Sequence, residues 1–370
     1  MCRRCMSLCV RANPMRVRKD LRMQLEIILE PDLSPAQVSE VAVAAEQYGF
    51  RTIWHSNYHQ NPDAWVALVP AALQTSRIKL GVLAVSPYEM QPIRIANATA
   101  TLNEISHGRA VVAIGGGGSV MSAAGMSQNP KAQRMVRGVR EAVEISRAMV
   151  SGQFSRGYPG EVFQVSRPFQ LSWVKASPAQ IFTCSTGPKM LEMAGRVADG
   201  TQMSDVTPEK IDHHMESLRK GLAEREIEVD DFRVGNFWAW HIKEDVERSM
   251  YEARRELVYR GEMLPPAYDM LPYVTPEERE LVIEKWANFQ KAFWTRSGVI
   301  EDVPEDIVNR LIAGCSSAGG PEAIDEQIER FRVFEKAGLT DLAIRLFDDP
   351  MDGLKIVAER VLPHFEAYSE

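Results

Sequence analysis

A chain of 370 residues with 45% hydrophobic and 25% charged residues has enough apolar content for one large α/β barrel or two ordinary domains, and its composition is that of a soluble globular protein. The net charge of −7, with basic residues concentrated only in the opening segment, argues against nucleic acid as a partner. No apolar run approaches the roughly 20 residues a membrane helix needs, so no membrane partner is expected, and five scattered cysteines suit the reducing cytoplasm better than a disulfide framework.

Residues 1–22, MCRRCMSLCVRANPMRVRKDLR, are basic and precede the first strand signal, so they read as a disordered tail. Cys2, Cys5 and Cys9 within it lack a fourth ligand, and no metal is expected. Strand-like and helix-like patterns then alternate. The first strand is Met23–Glu30, followed by a helix capped by Ser34, opened by Pro35 and ended by Gly49. Strand two spans Arg51–His55, with a helix from near Pro62. Strand three, Ile78–Val85, leads to a helix from Pro92 to Ile105, and strand four is Ala110–Ile114. A long helix over Lys131–Ser151 precedes an excursion at Gly157–Val165.

Strand five, Gln180–Cys184, has its helix from Pro188. Strand six, Gly200–Met203, has a helix over Pro208–Glu226, and strand seven, Phe232–Ile242, has one from about Asp245. Residues 260–306 break the rhythm as an insertion, with an amphipathic stretch near Pro276–Phe293. A helix at Pro321–Ala337, strand eight at Asp341–Leu346 and a helix at Met351–Ala367 complete the count. Eight strands alternating with helices predict a closed (β/α)₈ TIM barrel over residues 23–370, a single domain with the insertion before its last βα unit. Its ligand site must then lie at the C-terminal ends of the strands.

The residues at those ends are rich in donors and poor in carboxylates: Glu30, then His55 to His59, Ala84 to Tyr88, Ser185 to Lys189, Gln202 and Ser204, and Trp238, Trp240 and His241. Strand four runs into Gly115–Gly118, where backbone can approach a ligand or simply turn at φ > 0. The run lacks the G-x-G-x-x-G spacing of a dinucleotide loop, and no helix pattern follows it at once. In CSTGPK, residues 184–189, two hydroxyls and a glycine precede a helix opened by Pro188. Such an N-terminus can bind a phosphate through its free N–H groups, aided by Ser185, Thr186 and Lys189, or it can be an ordinary capped helix.

With ATLNEISHGR leading into AVVAIGGGG, IKLGVLAVSPYEMQP before it and STGPKMLEMAGRVADG after it, the chain resembles the bacterial-luciferase-like superfamily, and most of all its branch that uses coenzyme F420. The resemblance implies a flavin-type ring lying across the strand tips and a non-prolyl cis peptide in strand three, by position Ala84–Val85. Carried over, Ser56 and Asn57 meet the ring's polar edge, Ser86 lies at the bulge, Gly115, Gly116 and Gly117 approach by backbone, and Ser185, Thr186, Gly187 and Pro188 hold the phosphate side. The branch commonly has Asp-His after strand two where this chain has Asn57 and Tyr58, and Ile28 stands at the position of its first-strand glutamate. Glu30, Tyr58, His55 and His59 remain as proton donors, the histidines favoured because imidazole titrates near neutrality.

The resemblance implies hydride transfer between F420 and a carbonyl, alcohol or activated double bond of a small molecule, in a homodimer. The alternatives are an FMN-dependent monooxygenase fed by a flavin reductase and a non-catalytic flavin-binding protein. Trp54, Trp65, Trp238 and Trp240 either shape an apolar pocket or are core, and the insertion is a candidate roof.

Overall fold

The computed structural model describes residues 22–368 apart from 118, 128, 155, 226, 228–230 and 264–268. The three N-terminal cysteines, the expected tail before residue 22 and Gly118 thus lie outside the described residues. Eight parallel strands close into a barrel in the order β1-β8-β7-β6-β5-β4-β3-β2. They are β1 Gln24–Leu29, β2 Thr52–Ser56, β3 Lys79–Val85, β4 Ala110–Ile114, β5 Gln180–Cys184, β6 Gly200–Ser204, β7 Arg233–Trp240 and β8 Asp341–Leu346.

The strands are apolar almost throughout because both faces are covered. Successive side chains alternate between the faces. Ile28, Trp54, Leu83, Val111, Phe182, Phe237 and Ala343 fill the lumen. Their strand neighbours Ile27, Ile53, Val82, Val112, Ile181, Trp238 and Ile344 pack outward under the helices. This parity sorts the polar residues too: Glu26 and Glu30 follow Ile28 into the lumen, as Asp341 and Arg345 follow Ala343.

Low in the lumen sits a sealed ionic cluster. Glu26 accepts from Arg51 Nη1 at 3.0 Å, Thr52 Oγ1 at 2.6 Å, Trp54 Nε1 at 2.7 Å and Gln202 Nε2 at 2.7 Å. Asp341 accepts from Arg233 Nε at 2.9 Å and Thr340 Oγ1 at 2.7 Å. Burial, then the Asp341 charge, raises the Glu26 pKa. Burial works against Asp341 as well, but the Arg233 and Arg51 guanidiniums outweigh it and hold that carboxyl below its usual range.

Three helices differ from expectation where proline intervenes. The segment after β2 forms two short helices, Ala64–Ala67 and Val69–Gln74, because Pro70 cannot donate to continue the first. The helix expected from Pro321 begins as a 3₁₀ turn and becomes α-helical over Ile324–Ala337. The last helix runs Pro350–Arg360, and Pro363 sits in the 3₁₀ turn after it. The insertion has its own apolar core, including Leu257, Met270, Val282, Phe289 and Leu311. That core draws on the Val246–Glu256 helix at one end and the Glu305–Cys315 helix at the other, so the unit is wider than residues 260–306.

Candidate active site

At the C-terminal mouth the lumen ends in charge. Arg345, at the top of β8, donates from Nε to Glu30 Oε1 at 2.7 Å and from Nη2 to Ser56 Oγ at 3.4 Å, tying the tips of β8, β1 and β2 together. Burial opposes its positive charge, but Glu30, Tyr58 and Asp205 more than offset this and keep it protonated. Cys184, at the tip of β5, lies within the field of Arg345, yet burial pushes its thiol up to about 12, so it is no nucleophile at neutral pH.

Across the mouth, Arg260 donates to Asp205 Oδ1 at 2.6 Å. Arg255 donates to Glu256 Oε1 at 2.7 Å and to both oxygens of Asp348 at 2.8 and 3.2 Å. His241, just past β7, stacks on Phe347 with centroids 4.6 Å apart, and its Nδ1 lies 2.8 Å from Glu252 Oε1. Burial lowers the His241 pKa despite that carboxylate, so the ring is neutral. A cavity of about 400 Å³ opens beside these groups, between Glu30 on one side and Glu256, Phe293 and Phe347 on the other.

The sequence-derived residues divide. Glu30 and Ser56 are in the mouth, and half-buried Tyr58 is within the field of Arg345. His55 is not: it follows Ile53 on the outer face of β2, paired in register with Leu29 and Val82, and its Nδ1 donates to its neighbour's carbonyl, Ser56 O, at 2.8 Å. Burial lowers its pKa and it faces Asp63 at the start of the next helix, which corrects the expectation of a mouth base there. His59 is solvent-exposed. Asn57 is spent on structure, donating from its backbone to Leu83 O at 2.7 Å and from Nδ2 to Glu89 Oε1 at 2.9 Å.

The non-prolyl cis peptide lies at Leu83–Ala84, one bond earlier than Ala84–Val85. Ala84 points toward Gly115, whereas Val85 turns into the outer core and meets the loop only through its carbonyl, 2.9 Å from Gly115 N. Ser86 donates to Gly116 O at 3.1 Å. The glycines are close-packed against protein: a Cβ on Gly116 would lie 2.4 Å from Met135 Sδ, and one on Gly117, at φ +74°, 2.5 Å from Ser86 Cβ. Gly115 alone borders the lumen, beside Cys184 and Ala84. A short helix, Ser119–Ala123, does follow the run. The four tryptophans are core: Trp54 fills the lumen below the mouth, and Trp65, Trp238 and Trp240 pack outside it.

The loop after β5 has open donors. Gly187 is the N-cap of the Pro188–Val197 helix with no side-chain cap, so neither hydroxyl before it does the capping that an ordinary reading requires. Thr186 Oγ1 instead accepts from Ser204 N at 3.1 Å, and the buried Ser185 Oγ has no hydrogen-bond partner among the described residues. A Cβ on Gly187 would meet nothing within 4 Å. Gly187, Pro188 and Lys189 are exposed. A helix N-terminus left without a side-chain cap has N–H groups that can receive an anion.

Arg345, Glu256, Arg260 and His241 received no role from the sequence. Arg345 was within reach of it, since alternation from Asp341 through Ala343 puts Arg345 inside; Glu256 and Arg260 close on the mouth only through the insertion's packing.

The family model described as luciferase-like monooxygenase matches residues 19–341. The chain belongs to this family. Among luciferase-like relatives it is 28% identical over 345 residues to a 5,10-methylenetetrahydromethanopterin reductase of Archaeoglobus fulgidus, covering 92% of this chain and 99% of that protein. It is 30% identical over 183 residues to an F420-dependent glucose-6-phosphate dehydrogenase of Kineococcus radiotolerans, 45% of this chain and 52% of that one. The fold superposes on a coenzyme F420-dependent tetrahydromethanopterin reductase of Methanopyrus kandleri with a TM-score of 0.76 at 23% identity, over 93% and 99% of the two chains.

Proposed function

We propose that this chain transfers a hydride between coenzyme F420 and a carbonyl, alcohol or activated double bond of a small organic molecule, with the deazaflavin ring across the strand tips and its phosphate side at the loop after β5. The observation that carries this reading is that loop: an uncapped helix N-terminus beside a buried hydroxyl without a partner fits an anionic tail, in a chain whose near-full-length relatives include F420 enzymes. When bound, the deazaflavin supplies the hydride or accepts it.

The chain's own residues do the rest. Ser185, Thr186, Gly187, Pro188 and Lys189 hold the phosphate end. Ala84, Ser86 and Gly115 to Gly117 set the shape of the ring's bed, and Ser56 offers its hydroxyl to the polar edge. Arg345, fixed by Glu30, orients a substrate oxygen in the mouth, and the insertion roofs the cavity against water. The protein works in the cytoplasm as a homodimer formed through barrel helices; Val66 and Leu73, 65% and 71% exposed on two of them, support such a face, and light scattering after gel filtration tests it.

The experiment is fluorescence titration of the purified protein with F420 and, separately, FMN. F420 binding with little FMN binding is expected. The reverse preference, with oxygen uptake in the presence of a flavin reductase, would replace this reading with monooxygenation.

A further inference from the structure

Glu30, Glu256, Asp348 and Arg255 line the cavity, and Arg345, Asp205 and Arg260 belong to the ion pairs around it. Glu30 pairs with Arg345, Asp205 with Arg260, and Asp348 with Arg255. Glu256 is left to share Arg255, whose fork is already engaged by Asp348. A fourth guanidinium, Arg296, reaches Asp348 at 2.9 Å, and both side chains are partly exposed, so water screens that pair. Glu256 is thus the carboxylate of the group with no guanidinium of its own, and a bound proton is the simplest compensation for its burial.

Of the carboxylates that line the cavity, Glu256 is the buried one. It is 5% exposed, it lines the cavity that Glu30 also lines, and it ends the Val246–Glu256 helix that faces the barrel mouth. We propose that Glu256 is the proton donor of the reaction: it hands its proton to the oxygen of a carbonyl substrate as the hydride reaches the carbon. This rests on the hydride-transfer reading above. The C–H bond forms with the electron pair from the reduced deazaflavin, the C=O π pair moves to oxygen, and the oxygen takes the Glu256 proton to give the alcohol. The carboxylate left behind is reprotonated from solvent, and in the oxidising direction it receives the hydroxyl proton.

The groups that face Glu256 agree with this role. Burial, then the Glu30 charge from the tip of β1, raises its pKa, and Arg255 and Arg260 oppose them without prevailing. Tyr259 from the following turn is itself pushed up by burial and stays neutral. Asp348 and Asp205 stand behind the two arginines and blunt their charge. Protonated, Glu256 is a hydrogen-bond donor at the cavity wall; ionised, it would repel Glu30 across the cavity.

Two measurements test this. In infrared pH titration of the cofactor-free protein, un-ionised carboxyl absorption is expected to persist above the ordinary glutamate range, with contributions from Glu26 and Glu89, whose pKa burial also raises; Glu256→Gln is expected to remove one component of it, which titrates at lower pH in Glu30→Gln. With F420, Glu256→Gln is expected to bind the cofactor as wild type does by fluorescence, while turnover of a panel of small ketones and aldehydes falls about 10²-fold or more. Glu256→Asp should restore part of it, and the decline of wild-type reduction with rising pH should follow the infrared midpoint. A wild-type minus Glu256→Gln difference spectrum with no such component, or a variant that keeps wild-type turnover and pH profile, overturns the proposal. Failure of F420 to bind the wild type would instead overturn the cofactor reading, and the infrared result would still decide where the proton sits.

Discussion

The two ends of the lumen carry ionic clusters built from the same two strands, β1 and β8, yet they are made differently. At the lower end Glu26 collects four donors and Asp341 sits against two arginines, all closed over by the barrel. At the mouth Glu30 and Arg345 have one carboxylate contact between them, with Ser56 as a long third partner, and Glu30 also lines a cavity. Four residues along a strand separate Glu26 from Glu30. A saturated buried pair fixes structure, because removing either partner strands a charge; an unsaturated one beside a cavity has capacity left for a ligand.

The largest expected effect comes from breaking the lower cluster. Asp341→Ala leaves Arg233 and Arg51 without their shared counterion and should cost about 3–5 kcal/mol in urea unfolding. The pH dependence has a definite sign. Arg233 and Arg51 hold the Asp341 carboxyl down, so its contribution is complete above the unfolded value of about 3.9 and is lost as pH falls through the lower folded value. The gap between variant and wild type should therefore close only in strong acid. Glu26, raised by burial, runs the other way: its contribution is complete below the unfolded value and fades as pH rises through the folded one. A gap that stayed constant through acid would show that Asp341 is not the titrating group.

A second test sets two glycines apart in the same way. Gly117→Val forces a branched side chain to φ +74° with its Cβ 2.5 Å from Ser86, and should destabilise the fold by about 1–3 kcal/mol. Gly187→Val meets open space at φ −67° and should leave the unfolding midpoint within about 0.5 kcal/mol, while weakening F420 binding about tenfold by filling that space. Unchanged affinity in Gly187→Val would move the phosphate site elsewhere. At the mouth, Arg345→Lys loses the fork that reaches both Glu30 and Ser56. A stability cost of about 1 kcal/mol is expected, with turnover down about tenfold.

The barrel was legible because eight apolar runs alternate with capped helices, and each strand lies within a residue or two of its sequence-derived limits. Much of the mouth was legible as well, from the residues at the strand ends. What the sequence hid follows from parity and distance. His55 and Ser56 are adjacent, and both stand at a strand tip; only the pleat, which sends Trp54 inward and His55 outward, decides that Ser56 faces the mouth beside Arg345 and His55 the outer packing. The cis peptide falls within the Val82–Val85 register shift between β3 and β4, one bond from where a motif match places it. Glu256 and Arg260 join the mouth across roughly half the chain, and no local pattern announces a contact made by an insertion folding back.

The smallest expected effect is the sharpest on that point. His55 and His59 flank the mouth in sequence, and both were natural candidates for acid or base. His59 is exposed and should tolerate Ala with turnover unchanged and stability within about 0.5 kcal/mol. His55→Ala should also spare the turnover of folded protein, while lowering the unfolding midpoint through the cavity it leaves under the Ala64–Ala67 helix and the loss of its bond to Ser56 O. Stability and catalysis are thereby separated at neighbouring positions of one strand. A His55 variant that stayed folded but lost turnover with a shifted pH profile would mean that the outer face of β2 takes part in proton transfer, and the division between structural and reactive charge would have to be redrawn around the imidazole.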